Sequence, residues 1–547
     1  MGPLFSVLAA LVALTLAQAG LGAEGPHPEV LLFGLALPHV LGAMAQRASL
    51  AGRTERARRL ERLLSGAGWM TYALLVLAAD WLGSVRAWTG LAVDLDAWPD
   101  AGLLLAMAPF VLLELSTILA SARVHGGTPL MRRQLRRFQL RMFLACCAPI
   151  ALFVLLSILV GRSHWLRTEI QYVGLASFAF TALMVGALAV LLPRLLTWSW
   201  DTHPFPDDPR REALDVVAAR AGFVPGRLLV WRTGDLMANA AIVGFRERGR
   251  VVLFSDHLLS LLNTRELGAV YAHEIGHARC RHVGAFIAWL CAVLFLGEVL
   301  FREALADQPV WLQGAVGLLI LGLWYVGFGW LSRRSELEAD LFSVEVQGDL
   351  PALVSALDRV GGRQRESAGW RHFSATQRVA FLERALADRG FRDGFKRRLG
   401  RLRAAGVALA IVGLAAQGVS LGRDLPKDRA VVRLARGEYA AAGSAAAGLA
   451  AADAEDVDPL VRVARALPDA SPGAVEVALR EALGARRLED SLLLARLANL
   501  RDVDGAGRVV DALERAVDGD GEGAWDEAQG ASGPLSEALR AALALQE

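Results

Sequence analysis

The chain is poor in cysteine, with four in 547 residues. Cys146 and Cys147 share one apolar run, Cys291 sits in another, and Cys280 follows a histidine motif. That spacing makes no disulfide framework, so nothing points to a stapled fold from an oxidising compartment. No C-x-x-C pair occurs, and the four cysteines read as buried apolar residues. Net charge is nearly absent too, at +2. No glycine-rich phosphate loop and no basic surface interleaved with aromatics stand out, so no nucleic-acid partner is expected. A basic n-region is missing before the apolar opening MGPLFSVLAALVALTLAQAG, which favours a retained first span over a cleaved signal. In DGDGEGAWDEAQ, Asp518, Asp520 and Gly523 suit a calcium loop. The twelfth position is Gln529 rather than glutamate, so the stretch reads as an acidic turn.

Apolar sequence is plentiful. The chain is 54% hydrophobic, with a mean hydropathy of +0.38, which marks a membrane protein. A spanning helix needs about 20 mostly apolar residues. Nine runs approach that length: Leu4–Ala17, Val30–Met44, Trp69–Val85, Leu103–Ala120, Met142–Val160, Val173–Leu192, Val283–Phe301, Trp311–Leu331 and Ala405–Leu421. Arginine density in the short loops sets their direction. QRASLAGRTERARRLERLLSG and ARVHGGTPLMRRQLRRFQLR are arginine-rich and should face the cytoplasm. RAWTGLAVDLDAWPD, GRSHWLRTEI and REALADQP should lie outside. The alternation puts the segment after Leu192 in the cytoplasm. His39, Asp80, Glu114 and Glu298 fall within or beside apolar runs and count as candidate functional groups, with pairing to a neighbouring helix or snorkelling at a span end as the equal alternative.

The expected fold is mainly α: polytopic membrane helices, a cytoplasmic zincin-type α+β peptidase domain and a C-terminal helical tail. The expected domains are residues 1–198, about six spans; 199–283, a first peptidase segment; 284–331, a transmembrane hairpin; 332–403, a second peptidase segment; 404–422, a last span; and 423–547, a helical, repeat-like domain. RLLVWRT, ANAAIVGF and RVVLFSD read as short strands. HLLSLLNTRELGAVYAHEIGHARCRH returns to helical periodicity.

That helix carries His-Glu-x-x-His. Residues four apart share a helical face, so His273 and His277 can hold one metal ion. A catalytic zinc site keeps three protein ligands and one open position. The metal acidifies a water, and Glu274 can accept the proton and pass it to a leaving amine. Glu336 in SRRSELEAD is the candidate third ligand. Two apolar runs separate it from the histidines, which returns it to the same side. The plainer alternative is that Glu336 and Glu338 solvate a helix leaving the membrane. Asp340 shares a face with Glu336 and can orient a ligating histidine. His282, five residues past His277, falls off the ligand face and reads as a polar cap.

NAAIVGF, VVLFSDHLL, TRELGAVYAHEIGHARCRH and SRRSELEAD, between about Pro204 and Leu382, resemble the membrane-embedded M48 peptidases. That family includes the HtpX proteases and the CAAX prenyl-protein proteases. The resemblance implies one Zn²⁺ per chain, held by His273, His277 and Glu336, with Glu274 as base. It also implies that the strand from Asn239 to Gly244 lines the cleft and pairs with substrate backbone, although Asn239 also suits an ordinary turn. GWRHFSATQRVAFLERA is similar to a later family stretch, with Phe373 in place of proline and Gln377 in place of glutamate. There His372 is implied to stabilise the oxyanion and Arg378 to brace the cleft. The expected partners are a peptide or membrane-protein substrate, the lipid bilayer, and a protein partner for the tail. The expected place is a bacterial inner membrane. Two rival readings stand: a signalling protease resembling the M56 sensor peptidases, with the tail outside, and a catalytically idle membrane scaffold.

Overall fold

A computed structural model of the chain describes residues 3–16, 27, 29–89, 101–125, 128–244, 250–306, 308–361, 369–370, 373–467, 471–484, 488–501, 503, 505–517, 521–531 and 534–543. It divides into two compact units. One comprises Met1–Ile158 with Met184–Gln417, the other Leu159–Leu183 with Gly418–Glu547.

The first unit opens with α1 (Pro3–Leu16), α2 (Glu29–Leu50), α3 (Thr54–Ala78), α4 (Trp81–Thr89), α5 (Ala101–His125) and α6 (Pro129–Gly161). Tyr72, Leu75, Phe110 and Leu113 are buried in their common core. The Tyr72 hydroxyl donates to the Ala106 carbonyl at 3.1 Å. A helix satisfies its own backbone polar groups, which is why runs without water partners fold this way. Seven helices among the described residues are long and apolar enough to cross a membrane. Two of the nine runs are not among them. The first lies on a helix of 14 residues, short of a span. The third is divided between α3 and α4, because Asp80 takes φ 39° and its Oδ1 accepts from the Gly83 amide at 2.9 Å. A carboxylate in an apolar run here caps a helix. Glu114 is buried, and a Cβ on Gly68 would stand 2.7 Å from its Oε1. His39 lies 3.4 Å from the Ser116 hydroxyl.

After α7 (His164–Tyr172) and α8 (Gly174–Ser199) the chain turns water-soluble in character, with β1 (Thr202–Pro204), α9 (Pro209–Arg220), β2 (Arg227–Trp231), β3 (Ala240–Val243) and β4 (Val251–Ser255). The three strand-like stretches are the three longer strands. The sheet order is β1-β2-β4-β3, with β2 parallel to β4 and both edge strands antiparallel. Strand residues alternate between faces. Leu228, Val230, Val252 and Phe254 pack with Leu267, Tyr271 and Ile275 of the His-Glu-x-x-His helix. Leu229, Val251 and Leu253 form a separate cluster with Trp200. The Trp231 ring stacks on Trp200 at 4.1 Å.

Next come α10 (Asp256–Leu261), α11 (Thr264–Arg279), α12 (His282–Leu300), α13 (Val310–Gln347), α14 (Leu350–Gly361), α15 (Ala375–Ala387) and α16 (Arg389–Ala435). Helix α13 holds both the eighth apolar run and SRRSELEAD without a break.

The second unit contains α7, the last part of α16, and α17 (Tyr439–Ala446), α18 (Ala451–Ala466), α19 (Pro472–Gly484), α20 (Leu488–Leu500), α21 (Ala506–Val517), α22 (Gly521–Gly530) and α23 (Pro534–Leu543). Alanine and leucine fill one core, including Leu479, Ala482, Leu497, Leu513 and Leu535. Gly523 and Gln529 of the acidic stretch lie on α22, while Asp518 and Asp520 fall outside the described residues. All four cysteines are free thiols of intermediate exposure rather than buried ones.

Candidate metal centre

Helix α11 starts at a capping box. Asn263 Oδ1 accepts from the Arg265 and Glu266 amides, and Glu266 Oε2 accepts from the Asn263 amide at 2.9 Å. Reciprocal capping of this kind fixes where a helix begins. Burial alone would raise the Glu266 carboxyl, but hydrogen bonds from Ser355 and the Asn263 amide, with Arg359, hold it below its ordinary value. Glu266 thereby also ties α11 to Ser355 and Arg359 of α14.

Two turns on, His273 and His277 project together. Their Nε2 atoms lie 3.1 Å apart. The Glu336 carboxylate of α13 reaches both, with Oε2 at 3.7 Å from His273 Nε2 and Oε1 at 3.6 Å from His277 Nε2. A tetrahedral ion with bonds of about 2.0–2.1 Å separates its ligands by roughly 3.3 Å. Taking one oxygen from Glu336, the three side chains offer donor atoms within 4.8 Å of one another, a set that can close on one such ion. Gly276 permits this approach, since a Cβ there would stand 3.0 Å from Ala339 Cα and 3.2 Å from its carbonyl oxygen.

Asp340, one turn beyond Glu336, is fully buried and its Oδ1 lies 2.8 Å from His273 Nδ1. Arg378 of α15 donates to both Asp340 oxygens, at 2.6 and 2.5 Å, and its Nη2 stands 4.0 Å from Glu336. Helix α15 has its own capping box, in which Gln377 Oε1 accepts from the Ser374 amide at 3.1 Å. Glutamine fills that role as glutamate does, so the departure at Gln377 costs the local structure nothing. Phe373 lies under the Arg333 guanidinium, 5.5 Å from it. His372 falls outside the described residues.

The electrostatics follow from burial and neighbours. Burial pushes the Glu274 carboxyl up to about 7, with His273 opposing and Glu336 assisting. Burial, reinforced by repulsion from His273, brings His277 down to about 3 and so keeps it neutral, the form that ligates. Burial also disfavours charge on His273, but the Asp340 hydrogen bond and the Asp340 and Glu336 charges outweigh it and raise its pKa.

Asn239 and Gly244 bracket β3 rather than joining the donor cluster. The Asn239 amide donates to Ser255 Oγ at 2.9 Å, and Gly244 takes φ 109°. Among the described residues β3 has no strand on its outer side, and Ala240 and Ile242 pack on the core shared with α11.

His282, expected as a polar cap off the ligand face, stands at the start of α12. It is fully buried, and its ring contacts both His277 and Glu338 at 2.8 Å. In one continuous helix a residue five positions on would point elsewhere. Arg281, however, takes φ 57°, a left-handed turn that ends α11 and folds His282 back.

Fold and cluster together define an integral, multi-pass membrane protein whose His-Glu-x-x-His helix meets a glutamate from a later helix. Residues 207–384 match the family model described as Peptidase family M48, so the M48 resemblance read from the sequence is borne out, and a metal is implied. Relatives include the CAAX prenyl protease 1 homolog of Arabidopsis thaliana, 29% identical over 208 residues, 34% of this chain and 48% of that protein. The Protease HtpX homolog of Bordetella petrii is 25% identical over 250 residues, 41% of this chain and 84% of that protein. The chain thus spans about half the length of the plant relative. Among solved structures it is similar to Ste24p of S. mikatae, with a TM-score of 0.44, 13% identity, and coverage of 68% of this chain and 98% of that one.

Proposed function

We propose that the chain is a zinc-dependent endopeptidase of the bacterial cell membrane, with its active site on the cytoplasmic side. The observation that carries the reading is the convergence of His273 Nε2, His277 Nε2 and the Glu336 carboxylate at 3.1–3.7 Å. A bound zinc ion supplies Lewis acidity toward a peptide carbonyl and acidifies water. Glu274 takes the proton from the attacking water and delivers it to the departing amine. Asp340 and Arg378 hold His273 in place. The outer edge of β3, which carries no strand among the described residues, offers backbone donors and acceptors to a peptide in extended form, with Asn239 and Gly244 at its ends. His372 remains the proposed oxyanion donor. Arginine-rich loops on the side of α11 support the cytoplasmic orientation.

The deciding comparison sets wild type against Glu274→Gln in membranes. The variant should retain one zinc per chain and lose cleavage by about 10²–10⁴-fold, so that uncut peptides accumulate. An idle scaffold predicts an unchanged peptide profile, and that result would remove the enzyme reading. The sensor-like reading keeps the same chemistry and differs only in what the tail does.

A further inference from the structure

His282 Nε2 lies 2.8 Å from Glu338 Oε2, and its Nδ1 lies 2.8 Å from His277 Nδ1. Glu338 is itself gripped by Arg403 of α16, with Nη1 2.7 Å from Oε2 and Nη2 3.0 Å from Oε1. Arg403 Nη1 also donates to the Cys280 carbonyl at 2.8 Å, at the C-terminal cap of α11.

These contacts admit one arrangement of protons that leaves His277 able to ligate. A carboxylate held at both oxygens by a guanidinium only accepts, so His282 Nε2 donates to it. The Nδ1 of neutral His282 is then a lone pair, and the proton between the two rings belongs to His277 Nδ1. That leaves His277 Nε2 as a lone pair, and Nε2 is the atom that faces His273 and Glu336.

We propose that His282, backed by Glu338 and Arg403, is a positioning residue that locks His277 in the tautomer and orientation whose Nε2 meets the metal. The inference rests on the metal-centre reading and extends it. Each histidine ligand has its own backing: Asp340 and Arg378 serve His273, while His282, Glu338 and Arg403 serve His277. The second set attaches a ligand to α16, the last candidate membrane span among the described residues. The same side chains invite a rival use, a second cation among Cys280, His282 and Glu338, whose donor atoms lie within 4.8 Å of one another. The Arg403 guanidinium already occupies both Glu338 oxygens, and its charge opposes a cation there.

The test is metal binding by the full chain in detergent, with Zn²⁺ titrated against a chromophoric chelator and Co²⁺ used for its visible spectrum. Melting of the metal-free protein controls for folding. His282→Phe should raise the Zn²⁺ dissociation constant about 10–100-fold and shift the Co²⁺ bands. His282→Asn, whose Oδ1 replaces Nδ1 as acceptor, should recover most of the loss. His282→Gln, which reaches Glu338 instead, should not. Arg403→Met should weaken binding by a smaller factor and add nothing to His282→Phe, because both break one chain. The proposal is overturned if His282→Phe binds as tightly as wild type, or if the Asn and Gln variants bind alike. Two equivalents in wild type that fall to one in His282→Phe would establish the second cation instead. His273→Ala separates the layers: if it still binds zinc as wild type does, the metal-centre reading itself fails, whatever the His282 series shows.

Discussion

Arg378 and Asp340 form an ion pair almost wholly removed from water, with side chains 13% and 0% exposed. Removing one member of such a pair leaves the other buried and uncompensated, at a cost of about 3–5 kcal/mol. Arg378→Met should therefore lower the stability of the metal-free protein by about that much. Arg378→Lys should recover only part, since an ammonium cannot fork onto both oxygens. Detergent-phase unfolding reads both, and an unchanged midpoint in Arg378→Met would show that the pair contributes nothing. At this scale the sequence was legible wherever helical spacing alone decides proximity. His273 with His277, and Glu336 with Asp340, are each one turn apart. Arg378 became visible only through the family resemblance, because its distance from Asp340 along the chain carries no periodic signal. The contact of His282 with His277 is not legible in the sequence, for a definite reason. Its position depends on the left-handed backbone of Arg281, and an arginine gives no warning of positive φ, as glycine or asparagine would.

Helices α11 and α13 bring the donor atoms together, and Gly276 sets how closely they pack. Alanine at that position improves helix propensity by about 1 kcal/mol. Its Cβ would nonetheless press on the Ala339 backbone at 3.0 Å, and backbone yields less readily than a side-chain tip. Overpacking of this kind costs about 1–3 kcal/mol, so the net change in stability is small while α13 moves outward. Gly276→Ala should thus weaken zinc binding more than it weakens folding, as metal titration and thermal melting run side by side would show. Intact affinity would mean that the helices have slack. Element types were readable in advance: the strands from short apolar stretches between turn residues, and α11 from its period. The continuity of α13 was not, because a change from apolar to charged composition resembles a boundary even where the backbone carries on. The division of the third run was hidden for the opposite reason. Its composition is uniform, and only the cap geometry of Asp80 breaks it.

The sidedness of the whole molecule can be argued by parity. Two apolar helices, α12 and α13, separate His277 from Glu336, so the donors are expected on one side, and α16 is the expected last crossing. The second unit supplies an independent tie. Arg436, just past α16, reaches Glu169 Oε2 at 2.6 Å, Thr168 Oγ1 at 3.0 Å and the Trp165 carbonyl at 2.8 Å. Asp428 Oδ2 accepts from the Gly174 amide at 2.8 Å. The segment between α6 and α8 and the start of the tail therefore lie on one side, whichever side that is. Loop charge predicts that segment outside, and with it the tail. Cysteines introduced one at a time into a chain cleared of its native four would test this with a membrane-impermeant maleimide. Ser163→Cys and Glu438→Cys occupy exposed positions in the second unit, and Arg133→Cys an exposed position at the other end of α6. The first two should react in intact cells, and the third only after permeabilisation. Labelling of 163 and 438 from opposite sides would contradict the Arg436 contacts. Labelling of both only after permeabilisation would reverse the orientation and move the metal site out of the cytoplasm.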